Sequence, residues 1–565
     1  MKVLLKQWKQ REPAIPYSDN DSTVEKLAKI NGITDLKRFL SPSIKDTHHY
    51  SLLPNIDDAV NEIHRHLVLG NKIVIYVDVD ADGVFSTSIA YRYLKRFSDN
   101  IHYFHVQRDD GHGIHVAEHL VPEDTDLLLI VDSSTNDHEA CERIKNKGIS
   151  IVILDHHDFE GTENPHAIIV NPRLPNSKYP NIEASGALVT WKVMSALDDL
   201  MDANCSEELM DMAGLSILSD SMSALDPENR YYIKHALENV DNLGLKILLE
   251  RLKINPKKFN SIDFQFAVSP CITAITRKNE IEIALELFMS DDPIECDQLV
   301  TRLVEANEIR KNKQREYVEL VKPQINPEDK FIIVVDPTIG KSYNGAVSQT
   351  LTDVYKRPAI VLGYKDEKSK QYNGSFRSYG DYPVKDFLND LQNVLSAAGH
   401  MQAGGVRIWK SNLEKLKREI NLKLKDHVFE SCIEYDLEIN SSDINEELIK
   451  QVEKFFKVCG KGIKPALFKI KDLLPIDKKV IGKGDTLKIP LVAASDTWFI
   501  NEEDYQYLKN RFDAMKFKTD QEFIEKFPIK KEIEIIGTLS VNEFTNFRGK
   551  TTKTNQIIIS EYRVV

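Results

Sequence analysis

Three aspartates at alternate positions, Asp78-Val79-Asp80-Ala81-Asp82, run directly into Gly83 and form the densest chemical signal in the chain. Carboxylates this close raise one another's pKa and do not sit together unpaired. A bound divalent cation resolves the conflict, and oxygen ligands select magnesium, manganese or calcium. D-x-D-x-D-G also matches the start of an EF-hand loop, but that loop needs a bidentate glutamate at its twelfth position. Counted from Asp78, that position is the apolar Ile89, and what precedes Asp78 has the pattern of a strand, not a helix. Two further acids follow strand-like runs, Asp132 and Asp155, and Asp155 is followed by His156 and His157. A lone histidine is more often structural, whereas an adjacent pair beside strand-end carboxylates points to metal binding or proton transfer. Mixed carboxylate and imidazole donors shift the preferred ion towards manganese. A pair of such ions bridged by carboxylate is a standard device for in-line attack on a phosphoester.

The elements that must position these groups are legible in the pattern. KIVIYV (72–77), LLLIV (127–131) and ISIVIL (149–154) are continuous β-rich runs, and Phe85–Phe97 and His138–Lys147 between them have helical spacing. Such alternation predicts a parallel sheet covered on both faces. Ligands of open α/β sheets bind beyond the carboxyl ends of the strands. Residues 1–66 read as short helices, 185–255 as mostly helical, and 285–322 as one long charged helix ending near Pro323. A second α/β unit follows with FIIVVD (331–336), AIVLGY (359–364) and a Gly/Ser-rich turn. Residues 426–565 end in IEIIGTLSV and NQIIISEYRVV, the pattern of a small barrel. The expected fold class is α/β: a parallel-sheet domain (67–240), a helical connector (241–324), a second α/β domain (325–425) and a C-terminal β-barrel domain (426–565), behind an N-terminal helical segment (1–66).

With 565 residues, 42% hydrophobic and 28% charged, the composition is that of a multi-domain globular protein. No apolar run has the length of a membrane-spanning helix, and the N-terminus lacks the apolar core of a signal peptide. The expected location is the cytoplasm, with no membrane partner. Six widely spaced cysteines without C-x-x-C spacing argue against a zinc site or a disulfide framework. The net charge of −13 disfavours non-specific duplex binding. Carboxylates gathered at a site inflate that sum, however, and basic residues gather locally at Lys410–Lys425 and Lys461–Lys488.

At these residues the sequence resembles the DHH phosphoesterase family, and within it the RecJ-type exonucleases specific for single-stranded DNA. KIVIYVDVDADG is similar to the first family motif, VDSS (131–134) to the second, and LDHH (154–157) is the signature itself. NPRLPNSKYPNIEASGALVTWKVM (171–194) is similar to the stretch that follows it, and LSILSDSMSALDPENR (215–230) to the fourth motif. QRDDGHGIH (107–115) resembles a further segment between the first two motifs. GSFRS (374–378) and GHMQAGG (399–405) resemble a DHH-associated substrate-binding domain, and the C-terminus resembles an OB-fold. The substrate-facing shell departs from the family pattern. Ser133-Ser134 replaces an Asn-Gly pair, and His112 occupies an aromatic position in a Gly-Tyr-Gly turn. PCITAITR (270–277) keeps Arg277 but loses another arginine, an asparagine and a glycine.

The resemblance implies a two-metal centre held by Asp78, Asp80, Asp82, Asp132, His156 and Asp220, with Asp132 bridging. The ions would be two Mn2+, or alternatively Mg2+. His157, Arg377 and His400 would act on the phosphate, with Asp155 orienting a histidine. Arg108, His112, Asn229, Arg230 and Arg277 would grip the nucleotide, together with Gly374, Ser375, Ser378 and Gly399 of the second α/β unit. Lys461, Lys464, Lys469, Lys483, Phe544, Phe547 and Arg548 would meet the strand on the OB-like region. The implied reaction is stepwise 5′-to-3′ release of 5′-mononucleotides in DNA repair and recombination, with a single-strand-binding protein or helicase as partner. The alternatives are a phosphodiesterase of oligonucleotides or cyclic dinucleotides, and a non-catalytic replication or repair scaffold.

Overall fold

The computed structural model describes residues 7–364, 368–429, 432–482, 485–498, 501, 503–504, 508, 511–519, 521–545 and 551–565. The chain divides into two compact units. One comprises residues 9–303 with 434–565; the other comprises residues 304–433 with residues 7–8.

In the first unit, the β-branched runs form five parallel strands: β1 (Ile73–Val77), β2 (Ile101–His105), β3 (Leu127–Val131), β4 (Ser150–Leu154) and β5 (Ile168–Val170). Their order across the sheet is β2-β1-β3-β4-β5. The chain goes from β1 to one side and then returns to the other, so the switch point lies between β1 and β3, where open sheets form their binding crevice. Every residue of β1 and β3 is buried, because helices cover both faces. Asp78, Asp132 and Asp155 therefore emerge side by side from three neighbouring strands. Helices α1 (Ile56–Val68), α2 (Ala81–Lys95), α3 (His138–Lys145) and α4 (Gly186–Met201) cover the sheet; α5 (Met210–Ser219) packs on α2 and α4, and α6 (Pro227–Glu238) packs on α5.

The continuous helix expected over 285–322 is broken. One helix spans Ile281–Met289, and α7 (Pro293–Val321) starts anew. Asp292 accepts hydrogen bonds from the N–H groups of Ile294 (2.8 Å) and Glu295 (3.4 Å). Pro293 has no N–H to continue the preceding turn, and it suits a first helical position.

The second unit holds β6 (Ile332–Val335), α8 (Lys341–Tyr355), β7 (Ala359–Gly363), β8 (Gln371–Arg377), β9 (Ser396–Gly399) and β10 (Ala403–Trp409). The sheet order is β9-β10-β8-β7-β6, with only β6 and β7 parallel. The expected Gly/Ser-rich turn is instead part of strand β8. Gly374 is required there because a Cβ would stand 2.0 Å from the Val361 carbonyl oxygen of β7.

Back in the first unit, the C-terminal region holds β11 (Leu437–Asn440), α9 (Glu446–Phe455), β12 (Phe468–Pro475), β13 (Lys479–Ile481), β14 (Thr486–Ala493), β15 (Arg511–Lys516), β16 (Ile533–Thr545) and β17 (Thr551–Val564). Five of these strands pair in a ring, β12-β16-β17-β15-β14, which β14 closes on β12. That is the five-stranded barrel of an OB-fold. Of the residues expected to meet a strand here, Lys483, Phe547, Arg548 and the side chain of Phe544 lie outside the described residues. Lys469 is corrected: it is ion-paired to Glu438 (2.9 Å) and Glu534 (3.3 Å) across the sheet. Among the described residues, no helix is long and apolar enough to cross a membrane.

Candidate metal centre

The turn from β1 into α2 packs three carboxylates into five residues, each held differently. Asp78 follows the last strand residue and is buried. Asp80 is the N-cap of α2 and accepts a hydrogen bond from Gly83 N–H at 3.0 Å. Asp82, in the first turn, lies across the N-terminus of α4, accepting from Gly186 N–H (2.8 Å) and Ala187 N–H (3.0 Å). A helix N-terminus stabilises an anion placed there. Gly186 is also fixed by space, because a Cβ would stand 2.3 Å from Asp132 Oδ1. Ser185 caps the same helix, accepting from Leu188 N–H at 3.2 Å. These helix-start amides were missed from sequence. Their visible signal was Ser185 followed by Gly-Ala, a capping residue before two small ones.

Asp132 leaves β3 with φ 61°, a left-handed backbone that aspartate tolerates better than most residues. Ser134 follows with φ 77°, at the position where the family pattern has glycine. Its hydroxyl accepts from Ile114 N–H at 2.8 Å.

His156 points its Nε2 at three carboxylates: Asp132 Oδ1 at 3.2 Å, Asp220 Oδ2 at 3.4 Å and Asp82 Oδ2 at 3.8 Å. Neither ring nitrogen of His156 has a hydrogen-bond partner, nor do the buried Asp78 Oδ1 and Asp132 Oδ1. Buried polar atoms are normally paired, so four orphans in one pocket need an explanation. Ligand atoms of Asp78, Asp80 and Asp132 lie within 4.8 Å of one another, as do those of Asp82, His156 and Asp220, and those of Asp132, His156 and His157.

Burial and mutual repulsion set the electrostatics. Burial, reinforced by the Asp80 charge, pushes Asp78 up to about 8 and Asp220 up to about 6. Burial also drives Asp82 and Asp132 well above the usual carboxylate range, with Asp220 adding to the first and Asp82 to the second. Burial lowers His156 to about 4, which leaves it neutral, the form that ligates metal. A crowd of carboxylates that cannot all ionise alone, around a neutral imidazole with free nitrogens, fits divalent cations with O/N preference.

Asp155 plays a different part. It is fully buried and accepts at Oδ1 from His156 N–H (2.7 Å), His157 N–H (3.1 Å) and His157 Nδ1–H (2.8 Å). Its Oδ2 accepts from Thr135 N–H (3.0 Å) and the Thr135 hydroxyl (2.6 Å). Burial alone would raise this carboxyl, but these bonds and the His157 charge hold it well below the usual range. In return the bond to Asp155 raises His157 to about 9. Asn171 braces the pair, donating to Thr135 Oγ1 and to the His157 carbonyl, both at 2.9 Å. Thr135 and Asn171 carried no role in the sequence reading.

Around this core, His112 places its ring 6.1 Å from that of His157. Arg108 donates to the Val79 carbonyl at 2.8 Å, and Arg277 is exposed at the end of a helix. Two expected nucleotide-gripping residues are corrected. Asn229 is fully buried, donating to the Glu183 (2.7 Å) and Ser223 (3.0 Å) carbonyls. Arg230 is buried over the Phe39 ring and donates to the carbonyls of Phe39, Ala224, Val458 and Phe455. With its donors spent on backbone inside the protein, Arg230 serves packing.

In the second unit, Arg377 is half-buried at the end of β8 and donates to the Phe376 carbonyl at 2.8 Å. Ser378 spends its hydroxyl on the Tyr382 carbonyl (2.7 Å). Gly374 and Ser375 lie in β8, and Gly399 and the exposed His400 stand at the β9–β10 connection.

A switch-point crevice lined by an Asp-His-His strand end and further strand-end carboxylates is the arrangement of a DHH phosphoesterase. The profile of the DHH family N-terminal domain matches residues 72–218, and that of the RecJ OB domain matches residues 435–555. The chain therefore carries a DHH-family N-terminal domain and a RecJ-type OB domain. It is 29% identical to the putative SPbeta prophage-derived single-strand DNA-specific exonuclease YorK of Bacillus subtilis, covering 97% of each chain. It is 25% identical to the single-stranded-DNA-specific exonuclease RecJ of the same organism, over 93% of this chain and 66% of the relative. Thermus thermophilus RecJ, solved in complex with Mn2+, superposes with a TM-score of 0.73 at 22% identity, covering 96% of this chain and 75% of that one. This last likeness is one of fold.

Proposed function

We propose that the protein is a divalent-metal-dependent exonuclease of single-stranded DNA. One observation carries the reading: His156, with both ring nitrogens unpaired, faces Asp132, Asp220 and Asp82 within 3.8 Å in a buried pocket. The residues that would hold the ions are Asp78, Asp80 and Asp132, which gather their ligand atoms in one group, and Asp82, His156 and Asp220, which gather theirs in another. Mn2+ suits the mixed donors best and Mg2+ is the alternative; relatives of this fold were solved with each. When bound, such ions activate water and neutralise phosphate charge.

The chain's own groups do the remainder. Asp155 fixes the ring of His157 and keeps its Nδ1 protonated, so His157 offers a cation to a phosphate oxygen at neutral pH. His112 stands beside it at the crevice mouth. Arg108 and Arg277 are the strand-gripping candidates on this unit; Arg377, His400, Ser375 and the glycines Gly374 and Gly399 are those on the second. Hydrolysis would proceed 5′ to 3′ and release 5′-mononucleotides. A long strand is favoured over a dinucleotide by the five-stranded barrel, since OB-folds track single strands through a basic groove and stacked aromatic side chains. A single-strand-binding protein or helicase is the partner class this activity would meet.

The test is a Mn2+-dependent nuclease assay on single strands labelled at either end, with a dinucleotide as comparison and Asp132→Ala and His156→Ala as controls. Label released first from the 5′ end, and lost in both variants, is the expected result. Equal cleavage by the variants would remove the assignment of the centre.

A further inference from the structure

The segment between α9 and β12 reaches back to the metal centre. Gly460 and Ile463 exchange backbone hydrogen bonds (2.9 and 3.1 Å), which makes a tight turn with Lys461 on it. This turn lies against the loop after Asp220. Lys461 bridges Ser223 in parallel, and Ala224 N–H donates to the Lys461 carbonyl at 3.0 Å. Lys461 Nζ then meets Glu183 Oε2 at 2.8 Å, and Glu183 Oε1 lies 4.0 Å from Arg173 Nη2.

Each member of this chain of charges is anchored to backbone that builds the centre. Arg173 N–H donates to Asn171 (2.8 Å), the residue that holds the His157 carbonyl, and Arg173 Nη1 meets Asp158, next to His157, at 2.8 Å. Ser223 N–H donates to Glu183 at 3.2 Å. Glu183 itself stands three residues before Gly186, whose amide holds Asp82. Two further cations, Lys461 and Arg173, therefore stand beside the crevice on backbone that also carries Asp220 and His157. The Lys461 side chain is 53% exposed, and Arg173 Nε is buried without a hydrogen-bond partner.

We propose that Lys461 and Arg173 form a phosphate clamp that grips the backbone phosphate next to the one being hydrolysed, with Glu183 holding the two cations in place until the strand arrives. This rests on the single-strand reading above. A chain of net charge −13 repels a polyanion unless cations line its path, and the strand beyond the phosphate met by the ions and His157 needs cations of its own. A guanidinium offers a planar fork to phosphate and an ammonium a mobile point charge, so the pair can hold one phosphate from two sides. The OB-fold half thereby contributes a binding residue to the catalytic half.

The experiment uses the full chain in EDTA, so that binding is read without hydrolysis. The probe is a fluorescein-labelled oligothymidylate of about 16 nucleotides, the upper site size of one OB-fold. Anisotropy is followed as potassium chloride is raised. Lys461→Ala and Arg173→Ala are each expected to weaken binding about tenfold and to flatten the plot of log affinity against log salt by about 0.7. Lys461→Arg restores both, and Glu183→Gln, which removes the competing carboxylate, binds at least as tightly as wild type. Wild-type affinity and slope in both alanine variants overturn the clamp, as does a Glu183→Gln variant weakened as much as they are. A wild-type protein that neither binds nor cleaves the strand overturns the single-strand reading and the clamp with it. Wild-type binding with silent variants overturns the clamp alone.

Discussion

Asp155 shows how one buried carboxylate organises the chemistry of its neighbours. It makes no metal-facing contact in this arrangement, because its oxygens already accept five hydrogen bonds from Thr135, His156 and His157. Partners of this kind usually matter by about 10–100-fold in metal affinity or activity. Asp155→Asn is accordingly expected to lower Mn2+ affinity or turnover in that range. It should also let His157 fall from about 9 towards its ordinary 6.5, because the group that raises it is gone. Titration of the His157 ring by NMR in the two proteins checks this, and an unmoved His157 would contradict it.

At the scale of the elements, α4 is the hinge of the site. Its N-terminal amides hold Asp82 and its first residue abuts Asp132, so Gly186→Ala must displace one carboxylate or the helix. A loss of stability of about 1–3 kcal/mol is expected from such overpacking, with weaker Mn2+ binding in calorimetry. Further along the helix, Lys192 is buried against Glu228 of α6 at 3.0 Å. Glu228 also accepts from Tyr179 (2.8 Å) and Asn181 (3.1 Å). Removing one partner of a buried pair strands the other charge, at a typical cost of about 3–5 kcal/mol. Lys192→Met should therefore shift the urea midpoint downward by that equivalent with an unchanged slope. A shift smaller than about 1 kcal/mol, the level of an exposed pair, would show that Glu228 finds another partner.

For the whole molecule, the centre makes stability depend on metal and pH together. Asp78 and His157 both have folded values above their ordinary ones, about 8 and about 9. Each contributes stability that is fully present below its unfolded value and is lost as pH rises through the folded one. His156 is lowered, so its contribution is already complete above 6.5. Between about pH 6.5 and 9 the chelated protein should therefore melt at progressively lower temperature, while Mn2+, which favours the ionised carboxylates, should raise the melting temperature more at the higher pH. A metal effect independent of pH would count against ligation by these acids. The two halves of the first unit are also bound through Arg230, whose acceptors include Phe455 and Val458. A chain ended at Ile433 removes those acceptors and leaves a guanidinium donor without its partners. It is expected to melt well below the full chain by calorimetry, and an equal melting temperature would show that the halves fold independently.

What the residues by themselves determined is the local chemistry. Continuous β-branched runs ending in acid specify strands whose carboxyl ends carry charge, and the DHH motifs give the order of the ligands along the chain. Periodicity and turn chemistry act over a few residues, so the parallel sheet and the barrel could be read from them, whereas the break at Pro293 and the strand character of Gly374–Arg377 depended on a cap and on a neighbouring carbonyl. The resemblance named the six residues of the centre, and only the tertiary structure decided how they and their neighbours pack there. It set Asp220 against His156 and turned Arg230 from an expected ligand-gripping residue into a buried strut. It also brought Lys461 back across 278 positions to Glu183. Pairings at that distance are fixed by packing of whole elements, which no spacing along the chain records.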